Sequence, residues 1–172
     1  MSKLSQFKKD FIVGQARSLM HARWPGVSSR PGCCVFASLA LGVALRSNGI
    51  NAIPQAGTCY WPRITQEQDD GVSPNVFGYC WEPDSINTIL KIARDELPEI
   101  HAWVALPQTN EIIDITTRHL KEQCETLATL KWTAPDPPDY LWEHCLKLPD
   151  YVLYKPDTRA IKYLISLYNR GL

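Results

Sequence analysis

Apolar residues return along this chain in two rhythms, which divide it into helices and strands. Between residues 4 and 20, Leu4, Phe7, Phe11, Ala16 and Leu19 recur at intervals of three to five residues, with charges between them. That spacing predicts an amphipathic helix with those side chains on its core face. The stretch from Trp24 to Gly32 holds two Pro and two Gly besides Trp24, Val27, Ser28, Ser29 and Arg30, and reads as a loop. From Cys34 to about Asn48 a second helix is predicted. Val35, Phe36, Leu39, Ala40, Val43 and Ala44 leave it apolar almost all round until Arg46. A helix without a polar face has to be buried, so this one is expected at the centre of the domain, with Gly49 as its stop.

Beyond Gly49 the rhythm changes. Residues 50–61 and 76–81 read as strands, separated by a polar, loop-like segment over 63–74. Residues 85–97 predict a short helix whose apolar side is Ile86, Ile89, Leu90 and Ile92. Residues 100–106 and 111–116 predict a hairpin turning at Pro107, Gln108, Thr109 and Asn110, where Asn and Pro favour a turn. A helix is expected over 117–130, a break at the Pro-rich 134–139, a strand over 151–154, and a closing helix over 158–169 stopped at Gly171. Two helices followed mostly by strands give an α+β fold rather than a parallel βαβ series. With 172 residues, 45% of them hydrophobic, the whole of 1–172 is expected to form a single domain with a real core.

Charge narrows the partners. Eighteen basic and eighteen acidic residues cancel, and the pI is near 6.9, which gives no basic footprint for nucleic acid. Lys8, Lys9, Arg17 and Arg23 could form a local patch, but a solvated helix face is the simpler reading. The first ten residues lack the apolar run of a signal peptide, and nothing approaches the roughly 20 apolar residues of a membrane span. A soluble protein of the reducing cytosol, with no membrane partner, is therefore expected. In that setting the six cysteines (Cys33, Cys34, Cys59, Cys80, Cys124 and Cys145) are mostly thiols packed as small hydrophobes. A metal site drawn from Cys33, Cys34, Cys59, Cys80 and His101 would have to use adjacent cysteines, which chelate one zinc poorly. Neither a metal nor a cofactor is expected.

One cysteine stands apart. A thiol nucleophile must be partly ionised near neutral pH, and a helix N-terminus supplies oriented N–H groups and positive potential for that. Cys34 lies where the loop ends and the buried helix begins. The same amides could hold a developing oxyanion. A histidine must then accept the thiol proton, and a third group must fix its tautomer. His101 opens the first strand of the hairpin, and Asp114 lies on the second. Pairing about the turn matches residue 101 with 115 or 116, close enough for side-chain contact with Asp114. Taken singly, each residue has a structural reading: a packed thiol, a satisfied core histidine, an aspartate ending a strand. Gln55, Tyr60 and Trp61 are candidates for a side-chain oxyanion donor, and each has a structural reading too. The aromatic set Tyr60, Trp61, Tyr79 and Trp81 reads as core, with a cleft lined by some of them as the alternative.

The run Gly32-Cys33-Cys34, the buried helix after it and its ending at Gly49-Ile50-Asn51-Ala52 resemble the Gly-x-Cys helix of the transglutaminase-like superfamily. His101-Ala102-Trp103-Val104 resembles that family's His-bearing strand, and Ile113-Asp114-Ile115-Thr116 its Asp-bearing strand. The resemblance spans about residues 31–117. It implies a papain/transglutaminase-like fold, with a buried N-terminal catalytic helix packed on an antiparallel sheet. It also implies that Cys34 is the nucleophile, His101 the base and Asp114 the orienting carboxylate. Counting back from Gly49 over the family's helix length selects Cys34 rather than Cys33. The implied activity is acyl transfer, by hydrolysis of a peptide or protein amide bond or by transfer to an amine as in transglutaminases and amine acyltransferases. Arg30, four residues before Cys34, is similar in placement to the arginine of arylamine N-acetyltransferases. Residues 59–99 have no counterpart in the resemblance. A catalytically inactive module that binds a peptide or partner through the same cleft is the reading from a different class.

Overall fold

The computed structural model describes residues 4–27, 32–64 and 75–169. Helix α1 runs over Gln6–Arg23, its N-terminus capped by the Ser5 hydroxyl, which accepts from the Lys8 amide at 3.3 Å. The helix is where the periodicity put it, but its buried face is different. Lys9, Ile12, Val13, Ala16 and Met20 face inward, whereas Phe7 (81% exposed), Phe11 and Leu19 face out. Only Ala16 of the expected stripe is fully buried, and Leu4 packs at the core's edge. Ile12, Val13, Ala16 and Met20 form a second stripe at helical spacing, and packing against α2 chose it.

Helix α2 covers Cys33–Ser47 and begins one residue earlier than expected. Cys33, Ala37, Ala40, Leu41, Ala44 and Leu45 lie in a core shared with Ile12, Val13, Ala16 and Met20 of α1. Its end is a Schellman turn. Gly49 takes φ +71°, its N–H donates to Arg46 O (3.0 Å), and the Ile50 N–H donates to Leu45 O (3.0 Å). The turn and the irregular residues after it reach position 52, so the following strand starts at Ile53 rather than Ile50.

Six strands follow: β1 (Ile53–Pro62), β2 (Val76–Tyr79), β3 (His101–Leu106), β4 (Glu111–Asp114), β5 (Leu141–His144) and β6 (Leu153–Pro156). Strands β2 and β6 both pair with β1, and β3, β4 and β5 pair in that order. The β1–β2, β1–β6, β3–β4 and β4–β5 pairings are antiparallel. The fold is α+β, with an antiparallel sheet and helices. Strand β5 is not expected from the sequence, which predicts only the Pro-rich break over 134–139 ahead of it. It exists because it pairs along the open edge of β4, Ile113 opposite Trp142. The helix expected over 117–130 is shorter: a 3₁₀ turn at Thr117–His119 leads into α4 (Leu120–Thr126).

The chain divides into two compact units. The first comprises Met1–Gln55, Ala102–Arg118 and Pro138–Leu148, and holds the α1–α2 core together with Val104, Leu106, Ile113, Ile115 and Trp142. Here Lys9 departs from the solvated-face reading. It is 8% exposed, its Nζ donates to Trp142 O at 3.3 Å, and it lies 5.1 Å from the Trp142 ring centroid. Arg17 is likewise engaged, its Nη1 2.7 Å from Asp139 Oδ2.

The second unit comprises Ala56–His101, His119–Pro137 and Pro149–Leu172. Its core is smaller, built on Ala56, Trp81, Ile100 and Ala160 with Ile92, Ile161, Tyr163 and Leu164 against them. Helix α3 (Ile86–Ala93) is capped by Ser85, whose Oγ accepts from the Thr88 amide at 3.2 Å. Its expected apolar side is turned outward: Ile86 (77%), Ile89 and Leu90 are exposed, and of that set only Ile92 packs inward. Helix α5 (Thr158–Asn169) is capped by Asp157, whose Oδ1 accepts from the Arg159 amide at 2.7 Å. The expected stop at Gly171, like Arg30 and most of the 63–74 loop, lies outside the described residues. Among the described residues no helix is long and apolar enough to cross a membrane.

Candidate functional site

In the first unit, α2 opens on Gly32, which adopts φ +82° as N-cap and supplies no side-chain cap. Its carbonyl accepts from the Val35 N–H at 3.2 Å. Cys33 and Cys34 therefore occupy the first turn, where the helix presents its amide end. Their surroundings differ. Cys33 (1% exposed) packs into the α1–α2 core, while Cys34 (4% exposed), about 100° further round the helix, is not part of that cluster. The six cysteines form no disulfide with one another; Cys59 and Cys124 are buried as well, Cys80 is half-buried and Cys145 exposed.

Asp114 ends β4 and is 1% exposed. Its Oδ1 accepts from the Thr116 amide (2.8 Å) and the Thr116 hydroxyl (2.7 Å), an Asx turn that locks the carboxylate's rotamer. The hairpin forms with the expected turn. Val104 pairs with Ile113, Ala105 with Ile112 and Leu106 with Glu111. Continued, that register sets Asp114 opposite Trp103, two residues along β3 from His101.

In the second unit, His101 opens β3 and is 2% exposed. Its imidazole is stacked on the Tyr79 ring, with centroids 5.2 Å apart and planes 15° from parallel. Tyr154 meets it from another direction at 6.2 Å and 52°. Cys59 brings its Sγ within 4.8 Å of a His101 ring nitrogen. Of the five residues weighed as metal ligands, Cys59 and His101 are thus the two brought together. Both tyrosines are anchored at their hydroxyls. Tyr79 donates to Gln123 Oε1 at 2.6 Å, and Tyr154 accepts from Trp61 Nε1 at 3.1 Å.

The wall around His101 was only partly legible. Tyr79, one of the aromatic set, is half-buried against the imidazole; Cys59 carries a signal only as a metal-ligand candidate, and Tyr154 and Gln123 carry none. The alternation along β1, with Cys59 and Trp61 buried, was available in principle. The partners of Cys59 were not: Tyr79 and Tyr154 pair with it from two other strands. Of the oxyanion candidates, Trp61 is a buried side chain donating to Tyr154, and Tyr60 points to the opposite face of β1 from Cys59. There it interacts with Cys80, and burial followed by the Cys80 hydrogen bond raises its phenol to about 12.

Comparison with family models, with curated proteins and with solved structures returned no match for this chain.

Proposed function

We propose that this chain is a cysteine-dependent acyl-transfer enzyme with a papain/transglutaminase-like fold, acting in the cytosol on a peptide or protein amide. The observation that carries this reading is the pairing register of the β3–β4 hairpin. It sets a buried Asp114, its rotamer fixed by Thr116, on the strand paired with the one that His101 opens, which supports reading the two as a histidine base and its orienting carboxylate. The first turn of a buried α2, with Cys33 committed to core packing, supports Cys34 as the nucleophile.

In this mechanism the Cys34 thiol gives its proton to His101, and the thiolate attacks the carbonyl carbon of the amide. The tetrahedral oxyanion faces the amide end of α2. Its collapse breaks the C–N bond, His101 returns the proton to the leaving amine, and a thioester remains on Cys34. Water, deprotonated by His101, then attacks the thioester; the products are a carboxylic acid and the regenerated thiol. An amine in place of water would give a transglutaminase or acyltransferase.

Alkylation by iodoacetamide at neutral pH tests the first step. Fast labelling of Cys34 that is lost in His101→Ala is expected; labelling that follows exposure, with Cys34 no faster than the buried Cys59 and Cys124, would refute it. Cys34→Ala should abolish turnover of an amide substrate while Cys33→Ala spares it, and equal losses would remove the assignment. Asp114→Asn should lower the rate by orders of magnitude through the wrong His101 tautomer. A second reading, an inert module that binds a partner, is favoured by the burial of both Cys34 (4% exposed) and His101 (2% exposed). Labelling of Cys34 no faster than that of the buried Cys59 and Cys124 is the outcome that would select it.

A further inference from the structure

We infer that Tyr79, held by Gln123, is the positioning residue that fixes the ring plane of His101; this rests on the reading of His101 as the base. A carboxylate on one imidazole nitrogen sets the tautomer but leaves the ring able to swing about that hydrogen bond, because the second torsion of histidine is soft. Delivering or removing a proton at the other nitrogen requires the plane to be fixed as well. The stacked Tyr79 ring provides that constraint on one face, with planes 15° from parallel.

The tyrosine is itself held at two points. At its tip, the hydroxyl donates to Gln123 Oε1 at 2.6 Å, and Gln123 is 7% exposed on α4. At its base, the preceding residue is Gly78, where β2 passes so close to β1 that a Cβ would sit 1.8 Å from the Cys59 carbonyl oxygen. No side chain fits there. The close approach seats Tyr79 directly across the strand pair from Cys59, in the register that lets its ring reach over to His101. Tyr154, tilted at 52°, bounds the ring without sharing its plane. An aromatic face also favours the charged imidazolium over the neutral ring, opposing the cost of burial.

The test separates the ring from its hydroxyl. Cys34 alkylation by iodoacetamide is followed from pH 5 to 9 in the full chain and in Tyr79→Phe, Tyr79→Leu and His101→Ala. Ring titration of His101 is followed by NMR in the same proteins. Tyr79→Phe keeps the ring over the imidazole but loses the Gln123 anchor, and should slow labelling measurably but less than loss of the ring does. Tyr79→Leu should slow His101-dependent labelling by about three- to tenfold, the range of an aromatic pair. It should also move the titration midpoint of His101 to lower pH. Tyr79→Met, flexible enough to fill the space without a ring, replaces Tyr79→Leu if that variant does not fold. Labelling and titration unchanged in the non-aromatic variant, with labelling still lost in His101→Ala, would overturn the positioning role alone. Labelling that ignores His101→Ala would overturn the base assignment, and the positioning role with it.

Discussion

Helices α2 and α3 are both strongly apolar, and the structure treats them in opposite ways. Along α2, ten residues from Cys33 to Leu45 are buried, and the helix is held by packing. Along α3 only Thr88 is fully buried, and Ile86, Ile89 and Leu90 face out. The difference teaches that periodicity reports how apolar residues are grouped on a helix, not what covers the group. Helix α2 has no polar face to turn outward, so any compact fold must enclose it. Helix α3 has two faces; its Ser85 cap, the inward packing of Ile92 and the buried Thr88 set its orientation.

If packing holds α2 and local bonds hold α3, substitutions should separate them. Leu45→Ala, at a site with 0% exposure, should cost about 2–5 kcal/mol in urea denaturation, for lost contacts plus the cavity left behind. Ser85→Ala should cost about 1 kcal/mol by removing the α3 cap. An effect of Leu45→Ala no greater than that of Ser85→Ala would break the comparison. Smallest of all, Ile86→Ala should stay within about 0.5 kcal/mol, as for other exposed sites. A loss of 2 kcal/mol or more there would mean that the exposed face is covered in solution, measured against the large-to-small scale for buried sites.

The same contrast can be examined in alkali, where the effect is confined to a pH window. In the first unit the Tyr140 phenol is pushed up to about 12 by burial and by its hydrogen bond to Asp10 (2.5 Å). In the second, Tyr60 is pushed up to about 12 by burial and by Cys80. A phenol whose folded value lies above the unfolded 10 keeps its proton longer in the fold. Its stabilisation is complete below pH 10, falls between 10 and 12, and is gone above that. Tyr140→Phe and Tyr60→Phe should each flatten part of that decline, read as the unfolding midpoint against pH. A decline of undiminished steepness in either variant would remove that tyrosine from the account.

Much of the candidate site was legible because its signals are local. A glycine before a helix start, a two-strand hairpin with Asn and Pro in the turn, and Ile-Ile before Asp114 are each read from neighbours in sequence, and β3 and β4 pair in the expected register. The face of α1 was not legible. Phe7, Phe11 and Leu19 compete with Ile12, Val13 and Met20 for the same interior, and only the presence of α2 decides between them. Lys9 departs from expectation for a related reason: its charge suggests solvent, but its ammonium lies over the Trp142 ring and donates to that residue's carbonyl. Strand β5 and the tyrosines around His101 escaped notice because their partners lie far away in the chain.

The sequence by itself determined that α2 is buried, that β3 and β4 form a hairpin, and that Cys34, His101 and Asp114 fall at the start of a helix and on two paired strands. These follow from composition and spacing, which act over a few residues. Tertiary structure alone decided which stripe of α1 and which side of α3 face inward, and that Tyr79, Tyr154 and Cys59 would surround the imidazole. Those outcomes depend on which strands come to lie side by side. No period within one segment encodes that choice, because the free energy that selects it is released only when distant surfaces meet.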